Sequence, residues 1–187
     1  MRIVSGVTRS PGREALLRAT ITVVARGGLR DLTYRAVAAE AGVSHGLVRH
    51  HFGSRDQLIA AALEFAVEKS LHETSMRVAA TDAASFASGI ESHARRSEEI
   101  EAFQYELLLE SRRRPELRPY VERYYETYRT ATRERLHELG VHDEELVEAI
   151  WFALDGIVLK QLTLGDGADV DRVLTRIRRL VAEASAH

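Results

Sequence analysis

The sequence predicts an all-α protein, and three observations carry that prediction. Apolar residues recur at helical spacing along nearly all of the 187-residue chain, and strand-like alternation is nowhere sustained. Only 3 prolines and 12 glycines are present, and most of them fall between periodic segments, where helix ends belong. Residues with a capping oxygen (Ser, Thr, Asp) stand just before several of those segments.

Each element follows from these signals. Residues 1–9 lack periodicity and read as a loose arm. Ser10-Pro11 supplies a cap and a first-position proline for a helix over 11–26. Leu16, Thr20 and Val23 form one stripe on it, Leu17, Ile21 and Val24 lie beside them, and Gly27-Gly28 ends it. Thr33 opens a short second helix, 33–41, with Val37, Ala38 and Ala41 on its inner face and Gly42 as its stop. Ser44 opens a third, 44–52. Ser54 with Gln57 three residues on fits a capping box, which starts a long fourth helix reaching about residue 78. Further helices are expected over 83–96, 98–114, 118–139, 143–164 and 169–184, punctuated by Pro115, Gly140 and Gly165.

Composition bounds the chemistry. At 45% hydrophobic and 29% charged the chain can bury a core and is not disordered as a whole. The absence of cysteine excludes a disulfide scaffold, a thiolate metal site and a cysteine nucleophile. Glu64 interrupts the apolar run 58–67 and Asp155 the run 150–159, so neither reaches the roughly 18 residues of a membrane span. No apolar leader follows Arg2, and a soluble cytoplasmic protein is expected. The net charge of −2 hides an asymmetry: residues 1–60 hold nine arginines against Glu14, Asp31, Glu40 and Asp56. A basic first third on an acidic body points to a polyanion engaged by one end.

That end carries two short helices joined by a glycine turn, a helix-turn-helix. With 100° per residue, His45, Gly46, Arg49 and His50 share one face of the third helix. Leu47, Val48 and His51 share the other with Ser44. Arginine can donate twice to guanine O6 and N7, and glycine lets a backbone approach base edges. The amides opening the helices at Thr33 and Ser44 favour anions, and Arg55 stands in the first turn of the fourth helix.

The run from Leu32 to Leu58 resembles the DNA-binding signature of the TetR (tetracycline-repressor-like) family of transcriptional regulators. Thr33, Ala38, Ala41-Gly42-Val43-Ser44, Gly46, His51-Phe52, Ser54-Arg55-Asp56 and Leu58 fall in register, within a likeness over roughly residues 13–60. The resemblance implies that Thr33, Tyr34, Leu47, His51 and Arg55 sit against phosphates, and that His45, Gly46, Arg49 and His50 approach bases. Two positions depart from the family pattern: Arg49 replaces a usual aromatic, and Arg55 a usual lysine, so no relative's operator transfers to this chain. The resemblance also implies a three-helix DNA-binding domain, 1–53, joined by the long fourth helix to a helical ligand-binding and dimerisation domain, 54–187.

Aromatic residues concentrate in that body. Val121, Tyr124, Tyr125 and Tyr128 form one stripe, and Ile100, Phe103 and Leu107 another. Such stripes are ordinarily core, but a pocket between helices needs the same residues. Candidate ligand contacts are Phe103, Leu107, Tyr124, Tyr128, Trp151 and Asp155, with Gln161 a further polar candidate. Asp155 on an apolar helix requires a tyrosine, an arginine or a ligand as partner. His50-His51 diverge around their helix, and Gly140 separates His137 from His142, so neither pair is read as metal-binding. Arg112-Arg113-Arg114 reads as a helix C-terminus offsetting its dipole. No nucleophile–base pair or phosphate loop is visible, so neither catalysis nor a cofactor is expected.

The last two helices carry wide apolar faces, and in this family such helices form a four-helix dimer interface. A homodimer would place two recognition helices about 34 Å apart, reading a pseudo-palindromic operator. The expectation is a ligand-responsive repressor with an unknown small-molecule effector. The alternatives are a TetR-like small-molecule-binding protein that has lost specific operator binding, and an architectural DNA binder without an effector.

Overall fold

The computed structural model describes residues 11–73, 82–165 and 168–186, and these are helices joined by turns, with no strand among them. The arm 1–9, Ser10, and residues 74–78 assigned to the fourth helix lie outside the described residues.

The N-terminal unit is α1 (Pro11–Gly27), α2 (Tyr34–Ala41), α3 (His45–Phe52) and α4 (Arg55–Glu73). Its boundaries have local causes. Thr33 stays extended (φ −129°, ψ 153°), and its hydroxyl accepts from the Ala36 amide at 3.0 Å, so α2 starts one residue after it. Gly42 takes the left-handed conformation (φ 66°). This lets the Val43 amide reach back to the Ala38 carbonyl (2.9 Å) and the Gly42 amide to that of Ala39 (3.2 Å), closing α2 in a tight reversal. Ser54 and Gln57 cap α4 reciprocally, each side chain accepting from the other's amide at 3.2–3.3 Å. Ser44 differs: it occupies the cap position of α3 with extended backbone, yet its side chain makes no cap hydrogen bond.

The body adds α5 (His93–Arg96), α6 (Glu98–Glu110), α7 (Arg118–Glu138), α8 (Glu144–Leu164) and α9 (Ala168–Ala184). The helix expected over 83–96 is instead two 3-10 turns, Ala83–Ser85 and Ile90–Ser92, followed by the single turn of α5. Ala87 and Gly89 both take positive φ and break the segment. The helix expected over 98–114 ends at Glu110. Arg113 folds back onto Glu110, and Arg114 pairs with Glu116 rather than with helix carbonyls.

Leu16, Leu17 and Val24 of α1 meet Val37, Val48, Phe52, Leu58 and Ile59 from α2 to α4 as one buried cluster. That cluster continues without a gap into Phe103, Leu107, Leu136, Ile150 and Leu174 of the body. Burying each such side chain contributes about 1.5–3 kcal/mol relative to exposure. α6 packs on α1, α4 on α7, and α7 on α8. α9 rests on the turns at 83–92, where Arg178 donates to the Phe86 carbonyl (3.0 Å) and pairs with Glu91.

Candidate DNA-binding face and body cavity

The recognition-type helix α3 is anchored by Val48 and Phe52, which are buried against the other helices of the unit. That anchoring leaves Ser44, His45, Gly46, Arg49 and His50 exposed together on the outer side. Leu47 and His51 are half-buried, Leu47 packing against the core. A side chain added at Gly46 would meet nothing within 4 Å, so the backbone there is open to close approach by a large partner. Two exposed histidines and one exposed arginine around a bare glycine can present donors to base edges, with no carboxylate within α3 to oppose them.

Three residues of the implied phosphate set are already engaged inside the unit. Thr33 is the cap of α2, and the Tyr34 hydroxyl donates to the Gly53 carbonyl at 3.1 Å. Arg55 donates through Nε to the Leu32 carbonyl (3.2 Å) and through Nη2 to that of Leu29 (2.6 Å). Partial burial and the nearby Arg114 guanidinium lower the Arg55 pKa, while Asp56 and Glu116 act against the shift. Arg55 therefore bolts the α1–α2 turn to the start of α4 and lies beside the α6–α7 connection.

Further polar links join this unit to the body. Glu99 of α6 accepts from the Thr22 hydroxyl (2.6 Å) and from Arg26 (2.8 Å), both on α1. Glu106 of α6 accepts from the Leu29 amide at 3.1 Å. Leu29 is thus held from both sides, its amide by α6 and its carbonyl by α4.

The body holds a half-open cavity of about 70 Å³ walled by Tyr105 of α6, Tyr124, Tyr125 and Tyr128 of α7, and Trp151 and Asp155 of α8. Asp155 has two tyrosine partners: the Tyr105 hydroxyl donates to Oδ1 and the Tyr125 hydroxyl to Oδ2, each at 2.9 Å. The Tyr128 hydroxyl donates to Gln104 at 3.0 Å. Burial, reinforced by the Asp155 carboxylate, pushes the Tyr105 and Tyr125 phenols well above their ordinary value. Of the candidate ligand residues, Tyr124, Tyr128, Trp151 and Asp155 come together here. Phe103 and Leu107 do not line the cavity; they are fully buried core residues on another side of α6. Gln161 is turned away and donates to the Glu91 carbonyl (2.8 Å).

Sequence reasoning missed a buried cluster at the cavity's edge. The Ser70 hydroxyl lies 2.7 Å from His93 Nε2, and both contact Oε1 of Glu101. No such pair is visible in the sequence; the fold brings this one together. The groups lie 23 and 31 residues from Ser70, so no spacing signal existed to find them. Glu101 meets the same ring nitrogen as Ser70, leaving Nδ1 buried without a partner, so no relay runs across the imidazole. A second cleft, about 320 Å³, opens between α1, α4 and α7, and Tyr124 forms a wall of both. On the far side of the body, α8 and α9 leave Phe152 (59%), Leu159 (41%), Leu164 (79%) and Val173 (43%) exposed.

A helix-turn-helix unit fused to an all-helical body with a cavity between its helices defines a class of two-part helical proteins. Residues 16–62 match the model described as bacterial regulatory proteins, tetR family, and residues 77–183 match that of the tetracyclin repressor-like C-terminal domain. The chain belongs to the TetR family. It is 43% identical over 51 residues to the HTH-type transcriptional regulator BetI of Stenotrophomonas maltophilia, covering 27% of this chain and 26% of that protein. It is 42% identical over 57 residues to the HTH-type transcriptional repressor Rv3405c of Mycobacterium tuberculosis, covering 28% of this chain and 30% of that protein. The chain thus matches under a third of the length of these relatives. Among solved structures, the multidrug binding protein EbrR complexed with imidazole is 30% identical, covering 90% of this chain and 96% of that one, with TM-score 0.64. EbrR complexed with proflavin is 28% identical with TM-score 0.61. No helix among the described residues is long and apolar enough to cross a membrane.

Proposed function

We propose that this chain is a ligand-responsive transcriptional repressor that binds a pseudo-palindromic operator as a homodimer in the cytoplasm. The observation that carries the reading is the exposed face of α3, where His45, Gly46, Arg49 and His50 stand together on a helix fixed from behind by Val48 and Phe52. Residues 1–53 form the DNA-binding unit and 54–187 the effector and dimer unit. The exposed apolar residues of α8 and α9 are the surface for a second copy, which supplies the second recognition helix. The 42% identity over 57 residues to an HTH-type transcriptional repressor supports the sign of regulation.

The effector enters the cavity under α7 and α8, a reading supported by the likeness to the multidrug binding protein EbrR in its complexes with imidazole and proflavin. At about 70 Å³ the cavity holds only a small molecule as it stands, so a larger effector must displace its walls. Tyr124 borders both this cavity and the cleft against α1 and α4, so displacing it presses on the DNA-binding unit. An effector favouring the displaced state by about 1–3 kcal/mol suffices for a useful response.

Selection of bound duplexes from a random DNA pool at about 0.15 M salt tests the reading, because screening at that strength weakens sequence-blind phosphate binding. Enrichment of two half-sites related by a dyad, lost on Arg49→Ala, is the expected result. A folded dimer that enriches no sequence would overturn it.

A further inference from the structure

We propose that the cavity between α6, α7 and α8 selects a small organic cation, held by aromatic walls and the Asp155 carboxylate, with His93 accepting a hydrogen bond from it. This inference rests on the effector-binding reading above and names the chemical class of the effector.

The charge of the walls comes first. Asp155 and Glu101 both line the cavity, and neither lysine nor arginine does. An anion placed there meets two carboxylates and no fixed positive side chain, whereas a cation meets two opposite charges at low dielectric. The Tyr105 and Tyr125 hydroxyls orient the Asp155 oxygens, and each oxygen keeps a further lone-pair site for a ligand. Burial pushes the Tyr105, Tyr124 and Tyr128 phenols upward; Asp155 and Glu101 add to the shift of each, behind the neighbouring tyrosines at Tyr124 and against hydrogen bonds from Ser70 and Gln104 at Tyr128.

Ring geometry adds to the electrostatics. Tyr124 stands at 88° to Tyr125 and 86° to Tyr128, and Tyr125 at 79° to Trp151, with centroids 5.0–5.6 Å apart. Perpendicular neighbours build a box rather than a stack, so ring faces turn in several directions. The negative face of an aromatic ring attracts a desolvated cation, and tryptophan does so best.

The buried histidine supplies the last observation. His93 is 2% exposed and lines the cavity. Its Nε2 lies 2.8 Å from Glu101 Oε1, an acceptor, so in the neutral ring the proton belongs on Nε2 and Nδ1 is an acceptor. Nδ1 has no partner. A buried acceptor left unpaired is costly, and a ligand N–H would satisfy it. Aromatic walls, excess carboxylate and an orphan acceptor together describe a primary or secondary ammonium, or an amidinium, more closely than a neutral or acidic molecule.

Trp151 is the only tryptophan of the chain and lies in the cavity wall, so its fluorescence reports binding directly. The full-length protein is titrated with isobutylammonium and benzylammonium, with the alcohols of the same skeletons, and with isobutyrate and benzoate. The expected result is at least about tenfold tighter binding of each ammonium than of its alcohol, with no response to the carboxylates. Asp155→Asn should remove that preference, and Tyr125→Phe, which keeps the ring, should retain it. Equal binding of ammonium and alcohol overturns the cation assignment, as does silence of all six probes to about 10 mM. Release of operator DNA by a neutral compound would also overturn it while leaving the regulator reading intact. Loss of folding in Asp155→Asn would shift the decision to Tyr125→Phe and the wild-type probe series, which decide it without that variant.

Discussion

The DNA-binding unit and the cavity are built on opposite principles. In the first, polar groups serve chain geometry or face outward: Thr33, Ser54 and Gln57 cap helices, and His45, Arg49 and His50 point to solvent. In the second, Ser70, His93, Glu101 and Gln104 bond one another from α4, α5 and α6, and Asp155 of α8 holds Tyr105 and Tyr125, mostly out of water. A surface that grips a stiff polyanion needs rigid presentation and little internal chemistry. A receptor for a small molecule needs internal polar groups whose mutual bonds a ligand can replace.

The largest expected effect asks whether these two regions fold as one. Phe103→Ala removes a fully buried ring from the body and should cost about 3–5 kcal/mol. Because the buried cluster runs unbroken from α1 to α9, urea unfolding followed by Trp151 fluorescence and by far-UV circular dichroism should show one coincident transition, shifted equally. A head that stayed folded after the body had lost its signal would show that the shared core does not couple them.

Arg55 tests where the boundary between the regions lies. Its fork holds the Leu29 and Leu32 carbonyls, so Arg55→Ala should destabilise the protein by about 2 kcal/mol, and lysine should restore only part, having no planar fork. Measured well below the midpoint of unfolding, DNA affinity then separates two roles. A uniform loss across sequences at full folding would mean that Arg55 also reaches a phosphate; unchanged affinity would confine it to the bolt. Next in size is Gly42→Ala. The space around Gly42 is open, so the whole penalty, about 1 kcal/mol, comes from forcing a side chain into φ 66°. Thermal unfolding measures it, and no cost would mean the turn re-forms with another backbone.

How much of this was legible in sequence follows the same division. The α2 stop at Gly42 and the Ser54–Gln57 box depend on residues at most five apart, and each could be read from spacing. The outward face of α3 follows from periodicity alone. The cavity does not: Asp155 meets Tyr105 and Tyr125 across separations of 50 and 30 residues, set by tertiary packing. Sequence showed that Asp155 needed a partner and left open which. It also grouped Phe103 and Leu107 with the cavity tyrosines, because an aromatic or leucine stripe looks the same whether it faces core or void. The segment 83–96 misled for a different reason, since Ala and Ser favour helix or tolerate it, while the break falls at Ala87, a non-glycine residue at positive φ that carries no signal in the sequence.

The smallest expected effects give the sharpest contrast, between two residues at equivalent cap positions. Thr33 and Ser44 both precede a short helix with extended backbone, but only Thr33 makes a side-chain cap bond. Thr33→Ala should therefore lower stability by about 1 kcal/mol. Ser44→Ala should stay within about 0.5 kcal/mol of the parent, since it removes an exposed hydroxyl without a cap partner. If the Ser44 hydroxyl and the first amides of α3 are kept for a phosphate, Ser44→Ala should weaken DNA binding to all sequences alike, with the salt dependence unaltered because no charge is removed. Unchanged affinity would return Ser44 to the protein's surface and leave anion binding at α3 to its backbone amides alone.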